Sequence, residues 1–219
     1  MNHINKGKPF PLGSSLTNKG VNFSLIATNA EYVEILLFEE GESIYPKTIF
    51  KLDHKNNTGP YWHAEISNLS EGCIYAFRVK QKNTGINNNY EKKVLLDPCS
   101  RGITGWRNYK RENALKNHEN TSSCLKSVVC DRRLFNFKDY PRPKHSWEET
   151  IIYELHIKSF TESYDNDESC FRKFIKKIPY LKELGITTIE LLPIFCFDPT
   201  DAPNGLKNFW GYSPINWFT

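Results

Sequence analysis

Few residues of this chain combine the type and the spacing that chemistry needs. Glu154 and His156 lie in Ile151-Ile-Tyr-Glu-Leu-His-Ile157, a run with the character of a β-strand. A carboxyl and an imidazole can move protons on a substrate. On a strand, though, each reads first as a structural hydrogen-bonding group. Asp198 and Asp201 stand beside Pro199 and Pro203, the chemistry of turns and caps rather than of a calcium site. His118, Cys124 and Cys130 fit no zinc spacing, and no fourth ligand accompanies them. The six cysteines (Cys73, Cys99, Cys124, Cys130, Cys170 and Cys196) form no CxxC pair and read as reduced thiols. The residues therefore call for no metal and no cofactor. What stands out is aromatic: Asn208-Phe-Trp-Gly-Tyr-Ser-Pro-Ile-Asn-Trp-Phe-Thr219 reads as a site-forming loop above the strand Ile186 to Leu192.

The rest of the composition bounds the setting. A length of 219 residues predicts one or two domains, and 39% apolar with 14% aromatic residues supplies a core. Net charge is +4 with lysine interspersed among acidic residues, and no basic run argues for nucleic acid. Met1 to Leu16 is polar and lacks the apolar stretch of a signal peptide. No apolar run is long enough for a membrane span. The expected location is cytoplasmic. Four glycosylation tripeptides, beginning at Asn22, Asn56, Asn68 and Asn120, read as chance matches in an Asn-rich chain.

The elements that must position these residues fall into two rhythms. From about Gly20 to Leu96 the pattern is β, with short runs at Val21–Ala27, Tyr32–Phe38, Tyr61–Ile66 and Ile74–Lys80. Short strands at this spacing predict an antiparallel sandwich of immunoglobulin-like size, assigned to residues 1–97. Gly85 to Tyr90 reads as a hairpin tip. Residues 98–147 hold Gly102, Gly105, Pro141 and Pro143 and read as a long connector, packed in places by Trp106, Leu134 and Phe135. Its stretch from Lys110 to Asn120 reads as mobile. Residues 148–219 then read β-α-β. Asp165 to Ser169 offers N-cap residues, and Phe171, Phe174, Ile175, Ile178, Leu181 and Leu184 fall at helical spacing. Pro179 predicts a kink or two short helices, and Gly185 a helix stop. Strand, crossover helix and strand make a parallel unit, but two strands cannot close a barrel.

Several segments, in order, resemble the isoamylase and glycogen-debranching branch of the α-amylase family, glycoside hydrolase family 13. Pro11-Leu-Gly13, Gly20-Val-Asn-Phe-Ser-Leu25, Val33-Glu-Ile-Leu-Leu-Phe38, Tyr61-Trp-His63, Leu69-Ser-Glu-Gly72 and Tyr75-Ala-Phe-Arg-Val79 resemble its N-terminal β-sandwich of carbohydrate-binding family 48 type. Leu95-Leu-Asp-Pro98 with Ser100-Arg101 resembles the linker. Trp147 to Thr161 resembles the first strand of the catalytic barrel, Ile178 to Pro193 its first helix and second strand, and Phe209 to Phe218 the loop after it.

The resemblance implies a β-sandwich followed by the start of an eight-stranded (β/α)8 barrel, incomplete here and truncated after its second strand. It implies retaining hydrolysis of α-glucosidic bonds, α-1,6 in debranching members, by two carboxyl groups about 5 Å apart. In the family these come from the fourth and fifth barrel strands, so no catalytic residue is carried over to this chain. The residue that is carried over is Tyr212, which in Gly211-Tyr-Ser-Pro214 matches an aromatic packed on the sugar ring; a flat ring suits the apolar C–H face of a pyranose. Trp210 and Phe209 read as loop supports. The expected partners are an α-glucan and a complementing C-terminal polypeptide, with no nucleic acid and no membrane. The alternative reading is a glucan-binding module, or a non-catalytic interaction or split-enzyme subunit. Tyr61, Trp62 and Tyr75 would be its platform if exposed on one face, although aromatics alternating along strands more often belong to a core.

Overall fold

The computed structural model describes residues 2–82, 92–131, 140–161 and 168–219. The hairpin tip expected at 85–90, the packing roles of Leu134 and Phe135, and the capping role of Asp165 lie outside the described residues. The chain divides into two compact units, one of residues 1–135 with 216–219, the other of residues 136–215.

The first unit is built from β1 (Ile4–Asn5), β2 (Gly13–Leu16), β3 (Gly20–Ile26), β4 (Ala30–Phe38), β5 (Thr48–Leu52), β6 (Asn57–Thr58), β7 (Tyr61–Ser67), β8 (Ile74–Gln81), β9 (Val94–Leu95), β10 (Ile103–Thr104) and β11 (Lys126–Val128). One sheet runs β1-β7-β3-β2, with β6 also on β7; the other runs β10-β11-β8-β4-β5, with β9 on β8. Pairing is antiparallel throughout, as in Val21↔Ile66 and Ile35↔Phe77. Alternation along the strands decides what is buried. Val21 and Phe23 of β3, Val33, Ile35 and Leu37 of β4, Ala64 and Ile66 of β7, and Tyr75 and Phe77 of β8 meet in one core. The rings of Phe23 and Tyr75 pack edge to face at 4.8 Å.

The alternation of β4 breaks at Ile35-Leu-Leu-Phe38 because this strand is covered on both faces. Leu36 and Phe38 turn away from the main core into a second cluster with Ala76, Val94 and Cys124. Its cover comes from Val94, at the end of the region read as sandwich, and from Cys124, within the stretch 98–147 that reads as a connector in the sequence. That stretch also supplies β10 and β11 to the sheet. The segment from Lys110 to Asn120 holds a short helix, α1 (Arg111–Leu115). The buried Lys93 ammonium donates to the Ala114 and Lys116 carbonyls at its C-terminal end, where a cation is favoured. Asn120 is buried, accepting from the Val94 amide at 2.8 Å and donating to the Val94 carbonyl at 3.2 Å. Trp106, expected to pack the connector, is 38% exposed.

A strap precedes the first long strand. The Asn22 amide accepts from Lys8 N at 2.7 Å and donates to Lys8 O at 3.0 Å, and Ser24 donates to Pro9 O at 2.6 Å. Gly7 has φ +69°, and a Cβ there would stand 2.6 Å from the Ala64 carbonyl carbon, the Glu65 nitrogen and the Asn22 side-chain oxygen. Only glycine combines that dihedral with that approach.

The second unit holds β12 (Ile152–Leu155), α2 (Ile157–Thr161), α3 (Cys170–Glu183), β13 (Thr188–Leu191), β14 (Cys196–Phe197) and β15 (Pro214–Asn216), and the division between the units falls inside β15. Strands β12 and β13 are parallel, with Tyr153↔Ile189 and Leu155↔Leu191 in register. These residues pack with Ile157, Phe174 and Leu181 beneath α3, whereas Ile152, Glu154, Thr188 and Glu190 are exposed. Ser169 caps α3, accepting from Arg172 N, and Gly185 at φ +89° stops it with the Ile186 amide on the Leu181 carbonyl at 3.0 Å. Pro179 lies inside one continuous helix of 14 residues, not between two short ones. Proline deletes one amide donor, and the apolar stripe of Phe174 and Leu181 on the sheet carries the helix through it.

Candidate functional site

The loops at the C-terminal ends of β12 and β13 form the cleft of the second unit. His156 directly follows β12. The Ser159 amide donates to its Nδ1 at 3.3 Å, which places a ring proton on Nε2, and the Ser159 hydroxyl lies 3.0 Å from the same nitrogen. The imidazole is walled by Phe209 at 4.8 Å and Trp210 at 5.7 Å, and those two rings pack edge to face at 5.5 Å. Lys158 Nζ lies 5.6 Å from the Phe209 centroid. The resulting cleft, about 260 Å³, is lined among others by His156, Lys158, Phe171, Pro193, Phe197 and Phe209, and among the described residues no Asp or Glu lines it.

The aromatic loop owes its shape to Asn208, to which the sequence assigns no role. Its Oδ1 accepts from Gly211 N at 3.1 Å and its Nδ2 donates to Tyr212 O at 2.8 Å, closing the turn. Gly211 has φ +78°, and a Cβ there would meet the Phe197 ring at 3.1 Å. This turn leaves Tyr212 60% exposed, its ring outside the loop's own packing. Phe209 and Trp210 pack on His156, while Glu154 is exposed on the opposite face of β12 from the helix, in register with Glu190. Asp198 is a turn residue: its Oδ1 accepts from Thr200 N at 2.8 Å and Thr200 Oγ1 at 2.6 Å, and its carbonyl accepts from Asp201 N at 3.1 Å.

In the first unit Asp97 of the Leu95-Leu-Asp-Pro98 motif is a buried polar hub, while Leu95 and Pro98 are exposed. Asp97 Oδ2 accepts from the Tyr75 hydroxyl at 2.6 Å and Oδ1 from Cys99 N at 2.8 Å. Asn216 donates to the Asp97 carbonyl at 3.0 Å and the Pro98 carbonyl at 3.3 Å, and accepts from Phe218 N at 2.7 Å. Only a buried position could have singled out Asn216, and one sequence does not show burial. Burial, joined by the Asp97 charge and hydrogen bond, holds the Tyr75 phenol well above its ordinary pKa. Burial also pushes up the thiols of Cys73, Cys124, Cys130 and Cys196, which keeps them weak nucleophiles. Among the described residues no group of three His, Cys, Asp or Glu is placed to hold a metal. Nor do the strand aromatics make a platform. Trp62 and Tyr75 are in the core, and Tyr61 is half-buried against Phe10 at 4.8 Å.

The described residues thus form an antiparallel sandwich and a parallel β-α-β unit with an aromatic cleft. Residues 11–100 match the family model of carbohydrate-binding module 48, the isoamylase N-terminal domain. The whole chain is 32% identical over 241 residues to a glycogen debranching enzyme of Klebsiella pneumoniae and 30% identical over 232 residues to one of Pectobacterium carotovorum. The matches cover 100% and 98% of this chain and 34% of each relative, so the chain spans about a third of the length of these relatives. Among solved structures, the catalytic module of the glycogen-degrading pneumococcal virulence factor SpuA superposes with a TM-score of 0.71 at 20% identity, over 97% of this chain and 32% of that one. A pullulanase of Paenibacillus barengoltzii in complex with maltohexaose and α-cyclodextrin gives 0.70 at 20% identity, over 96% and 32%. The resemblance to the isoamylase and glycogen-debranching branch thus holds along the chain. No described helix is long and apolar enough to cross a membrane.

Proposed function

We propose that these residues form the N-terminal part of an α-glucan debranching hydrolase that cleaves α-1,6-glucosidic bonds of glycogen or starch in the cytoplasm, and that they do not hydrolyse glucan by themselves. The observation that carries this is the cleft at the ends of β12 and β13. It offers an aromatic wall, and the loop that supplies Phe209 to that wall also carries the exposed ring of Tyr212; among the described residues its lining has no carboxylate. Retaining hydrolysis needs two carboxyl groups about 5 Å apart, one as nucleophile and one as acid/base. This chain supplies a surface for the sugar and leaves the proton transfers to a complementing C-terminal polypeptide. Tyr212 is the substrate-binding residue of this reading.

The test is reducing-end release from glycogen and amylopectin by the purified chain, alone and with the separately produced C-terminal two-thirds of a debranching relative. Turnover is expected only in the mixture, and Tyr212→Ala is expected to reduce it at least about tenfold. Turnover by the chain alone refutes the proposal.

A second reading is favoured by the family match of residues 11–100. The sandwich holds α-glucan as a binding module, independently of hydrolysis. Retarded migration of the chain in a native gel containing amylopectin supports it, and unchanged mobility counts against it.

A further inference from the structure

We infer that the glucan platform of the first unit is Trp106 with Tyr109, on the loop after β10, and not an aromatic of the sandwich strands. The inference rests on the reading of this unit as a glucan-binding module. A sugar platform needs a flat ring open on one side, a backbone that does not have to be ordered on binding, and hydrogen-bonding groups at its rim. The strand aromatics fail the first condition: Phe23, Phe38, Trp62, Tyr75 and Phe77 are buried, Phe50 packs against the core, Tyr61 lies half-buried against Phe10, and Lys51 Nζ sits 3.7 Å over the half-buried Tyr32 ring.

Trp106 meets all three. The residue is 38% exposed, and its ring is braced by Tyr109 at 5.7 Å and 74°, an edge-to-face contact. The loop beneath it is fixed at both ends. Gly105 takes φ +95°, in a space where a Cβ would stand 3.1 Å from both the Cys124 and Gly41 carbonyl oxygens. Asn108 Nδ2 donates to the Glu42 carbonyl at 3.0 Å, and Lys110 N donates to the Ser123 carbonyl at 3.2 Å. Lys126, fully buried, donates to the Gly41 carbonyl at 2.9 Å and holds the facing loop. Arg107 and Lys110 are exposed on either side of Asn108 and can donate to sugar hydroxyls. An indole carries the largest apolar face of any side chain, together with an N–H donor. The ligand class is therefore a neutral α-glucan packed C–H face down, and its binding depends little on salt.

The experiment is affinity electrophoresis of the full chain in native gels with increasing amylopectin, comparing wild type, Trp106→Ala, Trp106→Tyr and Phe10→Ala. Phe10 is the control, an exposed aromatic at 57% outside the proposed platform. Circular dichroism checks that each variant is folded. Retardation of the wild type is expected to weaken about tenfold or more in W106A, to recover largely in W106Y, and to persist in F10A and at high salt. If the wild type is retarded and W106A equally so, the platform is overturned while the module reading stands. Retardation that vanishes with salt overturns the platform as well, because it assigns the contact to charge. No retardation of the wild type overturns both.

Discussion

Removing one hydroxyl, in Tyr75→Phe, should uncover the polar hub of the sandwich. Tyr75 and Asp97 are 0% and 1% exposed, and the phenol donates to the carboxylate at 2.6 Å. A buried hydrogen bond to a charged acceptor contributes about 1.5–3 kcal/mol, so Y75F is expected to cost about 2 kcal/mol at pH 7. The pH dependence tests the cause. In the fold the phenol pKa is raised by burial and by Asp97, so the phenol keeps its proton above pH ~10, where the unfolded chain loses it. The unfolded state then binds one proton fewer, and stability falls by about 1.4 kcal/mol per pH unit as pH rises from ~10 toward the folded pKa. The contribution is fully present below pH ~10. Burial-raised thiols steepen the same alkaline loss, but they are common to both proteins and cancel in the difference. The gap between wild type and Y75F should therefore shrink from about 2 kcal/mol at pH 7 to about 0.6 kcal/mol at pH 11. Urea unfolding followed by far-ultraviolet circular dichroism at several pH values measures it. A gap below about 0.5 kcal/mol at pH 7, or one of equal size at both ends, refutes the reasoning.

Two further perturbations test the strap and the aromatic loop. Gly7→Ala places a Cβ 2.6 Å from backbone atoms of β7 at φ +69°, and should lower the urea midpoint by an equivalent of about 2 kcal/mol or more; an unchanged midpoint would contradict the strap. Asn208→Ala removes both bonds that close the Tyr212 loop, so exchange of the Gly211 amide should quicken about fivefold with little change in overall stability, and unaltered protection would show that Asn208 does not hold the turn.

The residues by themselves determined a good deal. Alternation in Val21–Leu25 and Ile74–Lys80 specified strands with one face inward, because side chains of a strand alternate faces. Ser169 and Gly185 bounded the crossover helix by their capping chemistry, and the ordered motifs from Pro11 to Phe218 carried the family resemblance. Tyr212 could be named from Gly211-Tyr-Ser-Pro214, but its exposure could not. Only the tertiary structure decided what long-range packing controls. It made strands of Ile103–Thr104 and Lys126–Val128, which lack periodicity because each is too short to show any and gains its partner from a distant β8 or from the other. It buried Trp62 and exposed Trp106, a difference that residue type cannot express. It also gave Asn208 and Asn216 their roles, since an amide closes a loop or anchors a carbonyl only once the backbone has brought that partner within 3 Å or so.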